Sequence, residues 1–512
     1  MTETGTEDKK RNNVRKVLSA AIYGFFLGIV VLSIFIRLGA GEVLQTDEAT
    51  HGVNAYEMLR HGNALVNTYK YTVDYFNSKP PLSLWCIMLS YRIFGAGSFG
   101  LRFASAVSGC LLCIIFSVFL KKNYGAVAAI SFTAAFPLMT ALFEFHMFRA
   151  GDMDAIYCLL FGIAMIALYE TRKGKRGMLQ LYGAVFGLAF LAKSIHAGVI
   201  LVIGCFFLPF IWKNLKRKNV LSAALIATGI PAIWALVRYH FDGTKFLYTM
   251  VFGEASDKIK SSANIYYLQD IAKSKIWIMM LAVLLLDLLI GLTDRERKGS
   301  IRTFLAARCK DNYLYILWLC VPVLLYSCAG SHMPWYIYTS YIAAAVVTGI
   351  TVQDIVRRLC HRKIFLTVFI LLYCTICLTV AGRQLQRLNL SGTGGNPGLQ
   401  CYSALQEFKE KYGNKYNAQK VYIENNDNVY AEQGVWENDY VFYAETSNDF
   451  RCCDGGVKAF LQNHDGLLLL DKDLWDTYSK ELTGYVILED DSYLIISTDK
   501  YSDTHKKSKP GT

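Results

Sequence analysis

Residues 9–38 read KKRNNVRKVLSAAIYGFFLGIVVLSIFIRL, a basic cluster followed by an apolar run from Val17 to Ile36. A run of this length, at ~1.5 Å rise per residue, covers the ~30 Å hydrocarbon core of a bilayer. It lacks a small-residue cleavage site and is longer than the ~7–15 residues of a signal-peptide core, so it reads as a first transmembrane helix retained in the protein. The whole chain has the same character. Of 512 residues 53% are hydrophobic and only 18% charged, and the mean hydropathy is +0.28, which excludes an ordinary soluble globule. The net charge of +12 does not point to nucleic acid, because the basic residues sit in short runs between apolar stretches, as membrane topology demands.

Eleven apolar segments are candidates for crossing: 17–38, 99–120, 124–143, 154–170, 178–192, 195–212, 219–238, 275–292, 313–329, 335–352 and 364–381. The basic runs at 9–16, 121–122, 172–176, 213–218, 295–310 and 357–363 all fall on one side if the N-terminus is cytoplasmic, as short cytoplasmic loops require. The segment Leu82–Phe94 follows Pro80-Pro81 and is short for a span. Counting it as one would invert every later basic loop, so it is expected to lie at the interface or re-enter on the external side. The expectation is a multi-pass plasma-membrane protein with external loops 39–98 and 239–274 and an external tail. The division is then 1–382, transmembrane, and 383–512, soluble.

The tail differs in charge: residues 385–512 carry 13 Lys+Arg against 20 Asp+Glu. After the break SGTGGNPG at 391–398, a helix is expected near Tyr402–Tyr412. Short strands are expected at 420–423, 440–443, 466–470, 484–488 and 492–497, together a small extracytoplasmic α/β domain. Most of the 14 cysteines lie in apolar segments and behave as small hydrophobes. In the tail, Cys401 could pair with Cys452 or Cys453. There is no Walker loop, and no nucleotide cofactor is expected.

The chemistry-bearing residues gather on the external side. TDEATHG at 46–52 holds Asp47, Glu48 and His51, and NSKPPL at 77–82 holds Lys79. FEFHMFRAGDMDA at 143–155 holds Arg149, Asp152 and Asp154 between two spans. Lys193 interrupts an apolar run, Lys258 lies in the long loop, and His332 and Tyr336 sit on a late external turn. Carboxylates and cations next to a bilayer are costly unless paired, hydrated or metal-bound. Here they stand at the interface and not at mid-membrane between repeats, where transporters keep them. Cations able to hold a lipid-linked phosphate, beside carboxylates able to activate a hydroxyl, suit group transfer from a lipid carrier. Bland roles compete: Asp47 and Asp152 could cap helices, and Arg149 could be an ion-pair partner.

TDEATHG with AYEMLRHGN, SKPPLSLWCIMLSYRIFG with LRFASAVSG, FRAGDMDA, GLAFLAKS and HMPWYIY occur in this order over about 300 residues. In this the chain resembles the GT-C glycosyltransferases of the protein O-mannosyltransferase and aminoarabinose transferase superfamily. The resemblance implies a GT-C fold of about 11–13 transmembrane helices. It implies an inverting enzyme that takes a sugar from a polyprenyl-phosphate donor and passes it to a cell-envelope or protein acceptor at the external face. It also implies roles: Asp47 as the essential acid, with Glu48, and Asp154, with Asp152, as the second acidic motif. Lys79, Lys193 and Lys258, with Arg149, would neutralise the departing phosphate. Where the aminoarabinose transferases place a metal-binding glutamate and histidine, this chain has Ser78 and, approximately, Ala255. A divalent metal would have to be held by Asp47, Glu48 or Asp154. The alternative function is a polyprenyl-phosphate-sugar flippase or a non-catalytic carrier-binding protein.

Overall fold

A computed structural model describes residues 3–40, 43, 46–144, 146–253, 264–293, 308–390, 397–412, 420–425, 437–490 and 493–500. In chain order its first helices are α1 (Glu3–Phe35), α2 (Thr46–His61), α3 (Leu82–Phe94), α4 (Ser98–Asn123) and α5 (Ala126–Ala135). They continue with α6 (Asp154–Arg172), α7 (Met178–Lys193), α8 (Gly198–Ile211) and α9 (Arg217–Asp242). The helices Tyr266–Lys273, Lys275–Thr293, Tyr313–Ser327, Tyr338–Leu359 and Lys363–Leu390 follow. The chain divides into two compact units, 1–38 with 104–390 and 39–103 with 391–512.

In the first unit, all eleven segments expected to cross coincide with helices. Among the described residues, eight stretches are long and apolar enough to span, and Met178–Asn214, counted as one of them, holds both α7 and α8. Ala126–Leu138 and Tyr313–Ser327 are shorter apolar helices. The interhelical contacts rely on small residues, which let backbones meet where no hydrophobic force drives association. A methyl group added at Gly183 of α7 would lie 2.3 Å from the Ala223 carbonyl oxygen of α9. Helix Tyr338–Leu359 is buried along most of its length, whereas α9 turns Leu225, Ile233 and Leu236 outward.

The second unit places the loop 39–103 with the tail, where the sequence grouped that loop with the membrane part. It holds a hairpin of β1 (Thr68–Tyr69) and β2 (Thr72–Val73), and a sheet in the order β4 (Arg451–Cys453), β3 (Lys420–Glu424), β5 (Leu467–Asp471), β7 (Tyr493–Lys500), β6 (Tyr485–Asp490). β3 is parallel to β4 and β5, and β7 is antiparallel to β5 and β6. Parallel neighbours need crossovers, supplied here by the helices Glu437–Thr446 and Gly456–Asn463. Side chains alternate between the faces with period two. Val421, Leu467, Leu469 and Ile495 join one core with Val53, Tyr56 and Tyr91 of α2 and α3, while Tyr422, Leu468 and Leu470 join a second. Gly52 of α2 meets the Phe442 ring so closely that a methyl there would stand 2.6 Å from it.

Two expectations are corrected. Residues 440–443, expected as a strand, belong to the helix Glu437–Thr446. Four apolar residues in a row do not distinguish the two periods, and burial of Tyr440 through Ala444 on every side suits a helix wedged between neighbours. The strand Arg451–Cys453 had no local signal. Cys452 and Cys453 carry free thiols.

Two carboxyl groups face each other inside this unit. Glu57 of α2 and Glu445 are both fully buried. Burial pushes the Glu57 carboxyl up to about 7 against the lowering effect of hydrogen bonds, including that from the Tyr71 N–H. Burial first, then the charge of Glu57, raises Glu445, and the Cys452 N–H opposes this. Lys70 reaches Asp454 at 3.0 Å, and Arg451 lies over the Tyr71 ring. An acid whose folded pKa is raised stabilises the fold fully below its ordinary value near 4.5, and the contribution is lost as pH rises through about 7. The Tm of the full chain is therefore expected to be higher at pH 5 than at pH 8. Glu57→Gln should flatten that difference, and an unchanged pH slope in the variant would refute the assignment.

Candidate active site

In the first unit, α6 starts at Asp154, which accepts a hydrogen bond from the Lys193 ammonium at the end of α7. Both side chains are buried, at 3% and 7% exposure. Lys193 also lies 5.6 Å from the centre of the Tyr336 ring, a cation–π contact. Ser194, at φ 51° and ψ −133°, ends α7 and starts the turn Ser194–Ala197. That turn carries His196, whose Nδ1 is 2.6 Å from the Tyr326 hydroxyl, while the Tyr157 hydroxyl donates to the His196 carbonyl at 2.7 Å. Lys193 is thus a built feature with a fixed counter-ion and not a lysine reaching for solvent.

One residue before Met153, Asp152 pairs with His146 Nδ1, and the His146 ring stacks on Trp335 with centroids 3.7 Å apart. The Asp152 carbonyl accepts from Ser105 at 3.1 Å and its carboxylate accepts from the Met153 N–H at 2.6 Å, so the group is held from both sides. Arg149 donates to the carbonyls of Ser33 and Ile34 at 3.2 and 2.7 Å. These lie in the last turn of α1, where a cation meets the negative end of the helix dipole. His332 and Tyr267 approach each other, with ring centroids 5.9 Å apart, and the Tyr267 hydroxyl donates to the Met333 carbonyl. Lys258 lies outside the described residues.

In the second unit Asp47 and Glu48 occupy the first turn of α2, where carboxylates favour the positive helix end. Asp47 is exposed. Glu48 is buried and receives two bonds from Arg102, at 2.7 and 3.0 Å, a bidentate pair. His51 is buried one turn further on. Lys79 is half-buried, in a segment pinned by amides. Asn54 donates to the Asp74 carboxylate at 3.0 Å, Asn77 donates to Asn54 at 2.7 Å, and Asn67 donates to the Asn77 carbonyl at 2.9 Å. Arg102 and this amide cluster were not among the sequence candidates. A charge inside the apolar run 99–120 was the signal for Arg102; isolated asparagines carry none.

Of the three carboxylates named for a metal, Glu48 is neutralised by Arg102 and Asp154 by Lys193. A divalent ion on either would have to displace a buried cation. Asp47, the third of them, is exposed.

Helices of spanning length, broken at a buried acid–base turn and joined to a small α/β unit, make this a multi-pass membrane protein with the GT-C fold. Residues 78–235 match the family described as dolichyl-phosphate-mannose-protein mannosyltransferase. The chain is 24% identical over 385 residues to the undecaprenyl phosphate-alpha-4-amino-4-deoxy-L-arabinose arabinosyl transferase of Serratia proteamaculans, covering 72% of this chain and 65% of that one. It is 24% identical over 346 residues to a namesake from Pseudomonas fluorescens, covering 65% and 59%. The chain thus spans less than two thirds of the length of these curated relatives. ArnT of Cupriavidus metallidurans bound to undecaprenyl phosphate superposes with a TM-score of 0.67 at 14% identity, covering 95% of this chain and 99% of that one. An Archaeoglobus fulgidus oligosaccharyltransferase superposes with a TM-score of 0.52 at 12% identity, covering 85% and 64%. These are the resemblances the motifs carried.

Removing one member of a buried pair leaves an uncompensated charge, at a cost of about 3–5 kcal/mol. Asp154→Asn is expected to lower the Tm of the full chain in detergent, and Asp154→Asn with Lys193→Gln to recover most of the loss. A double variant less stable than either single variant would show that the pair is not the coupled unit described.

Proposed function

We propose that the protein is an inverting glycosyltransferase that moves a sugar from a polyprenyl-phosphate carrier to an acceptor hydroxyl at the external membrane face. The reading places the N-terminus in the cytoplasm and the tail outside, in the plasma membrane, and rests on the loop charges. Its chief support is the buried Lys193–Asp154 pair at the head of α6, framed by Tyr336, in a fold shared with a protein crystallised with undecaprenyl phosphate. The curated relatives, named as undecaprenyl-phosphate aminoarabinose transferases, support the same donor class.

In the proposed step the acceptor oxygen attacks the anomeric carbon while the Asp47 carboxylate takes its proton. The bond from the anomeric carbon to the phosphate oxygen breaks, and its electron pair stays on the phosphate. That charge is met by Lys193, Lys79 and Lys258, with Arg149 assisting. An ammonium has three N–H donors, so Lys193 can keep its bond to Asp154 and give another to the phosphate. Asp154 and Asp152 then act as positioning groups, the first on Lys193 and the second on His146. Glu48 does the same for Arg102, and through it for the start of α2 beside Asp47.

Full-length chain in proteoliposomes with a radiolabelled polyprenyl-phosphate sugar tests this. Asp47→Asn should reduce sugar release by about 10²- to 10⁴-fold, the range for loss of a general base, with the Tm unchanged. Carrier binding without turnover, indifferent to Asp47→Asn, would instead establish the flippase or carrier-binding reading.

A further inference from the structure

At the other end of α6 from Asp154 lies a second polar site. The helix runs 19 residues from Asp154 to Arg172, which at ~1.5 Å per residue separates the two by about 27 Å, close to a hydrocarbon thickness. There a cavity of about 600 Å³ is lined by Arg172, Lys173, Arg308, Arg357 and Arg358, with the hydroxyl-bearing rings of Tyr124 and Tyr169. Its lining acids are Asp311 and Asp354, so cations exceed carboxylates by five to two.

Basic residues at a cytoplasmic loop need no ligand to explain them. Arg308 and Arg358 differ from solvated loop charges in being shielded and fixed at the wall of the hollow, whereas Arg357 and Lys173 stand exposed at its rim. Asp287, 3% exposed, receives Arg308 and lies 3.5 Å from Arg358, and Arg308 also reaches Asp354 at 2.8 Å. The Arg308 and Arg358 side chains are only 20% and 24% exposed. Arg357 donates to the Tyr124 carbonyl at 2.7 Å and Arg172 to the Asp311 carbonyl at 3.2 Å. Lys173 donates to Asn123 and stands 4.8 Å from the Tyr169 ring centre. A guanidinium offers five donors in a planar fork, and the bonds of Arg172 and Arg357 named here use part of that capacity. Burying Asp287 beside hydrocarbon is costly, and its effect is to hold two arginines rigidly at the cavity wall.

We propose that this cavity binds a phosphate group, on an anionic lipid headgroup of the facing leaflet or free in solution. Planar donors match tetrahedral phosphate oxygens bidentately. Basic pockets between transmembrane helices at the cytoplasmic surface are where anionic headgroups lodge. The inference is independent of the transfer reaction, because its residues lie a membrane's thickness from Asp154 and Lys193.

The test is the Tm of the full chain in two settings. In neutral detergent, inorganic phosphate is compared with chloride at equal ionic strength. In nanodiscs, phosphatidylcholine alone is compared with phosphatidylcholine containing phosphatidylglycerol. The wild type is expected to be stabilised by phosphate, by phosphatidylglycerol or by both, and the responding arm names the source. Arg172→Gln with Arg357→Gln, both at the cavity mouth, should weaken the response at least about 10-fold, as loss of two charge-assisted bonds implies. Arg172→Lys with Arg357→Lys should retain part of it. If the glutamine pair does not fold, Lys173→Gln, an exposed position, serves in its place. No stabilisation of the wild type in either setting, or equal stabilisation of the glutamine variant, would overturn the proposal.

Discussion

A charge beside hydrocarbon must be neutralised inside its own protein, and the pairs that meet this condition tie the chain together at long range. Lys193 and Asp154 are 39 residues apart, and Arg102 and Glu48 are 54 apart. The first fixes the end of α7 to the start of α6, and the second fixes the start of α4 to the start of α2. The positions of α6 and α7 follow from the first, and the entry of the chain into α2 follows from the second. At the far end of the first unit Asp287 does the same for two arginines. Apolar packing decides that there will be a bundle, whereas these few pairs decide which helix ends meet.

The hydrophobic periodicity of the chain made the helices readable, because a span has to be ~20 residues of one kind. Even α3 was readable, since its 13 residues fall short of that length. Boundaries within the tail were less legible. Tyr440-Val441-Phe442-Tyr443 carries no period, and only its surroundings make it a helix. The candidate acids and cations were named from the sequence, but their engagements were not. Nothing local says that Lys193 belongs to Asp154, that Arg149 holds the end of α1, or that Glu48 faces Arg102. Pairing is a property of helix packing, which one sequence does not contain. The asparagines that pin the Lys79 segment were invisible for the same reason.

The second unit shows how a loop gains a shape that its own length could not supply. Residues 39–103 have two helices and a two-residue-stranded hairpin, too little to close a core alone. Their apolar faces are completed by Phe408, Phe442 and the β3–β5–β7 face of the tail. The rigidity of the stretch that carries Asp47, His51 and Lys79 is therefore borrowed from residues beyond 390.

That borrowing sets an order on biosynthesis. The first half of the second unit emerges roughly 290 residues before the second half. At translation rates of about 5–20 residues per second, the faces of α2 and α3 that bear Val53, Tyr56 and Tyr91 stay uncovered for some 15 to 60 seconds. During that interval the nascent loop has only the bilayer surface, or a chaperone, on which to rest its apolar side. Maturation of the Asp47 region is accordingly a late event, gated by synthesis of the residues beyond 390.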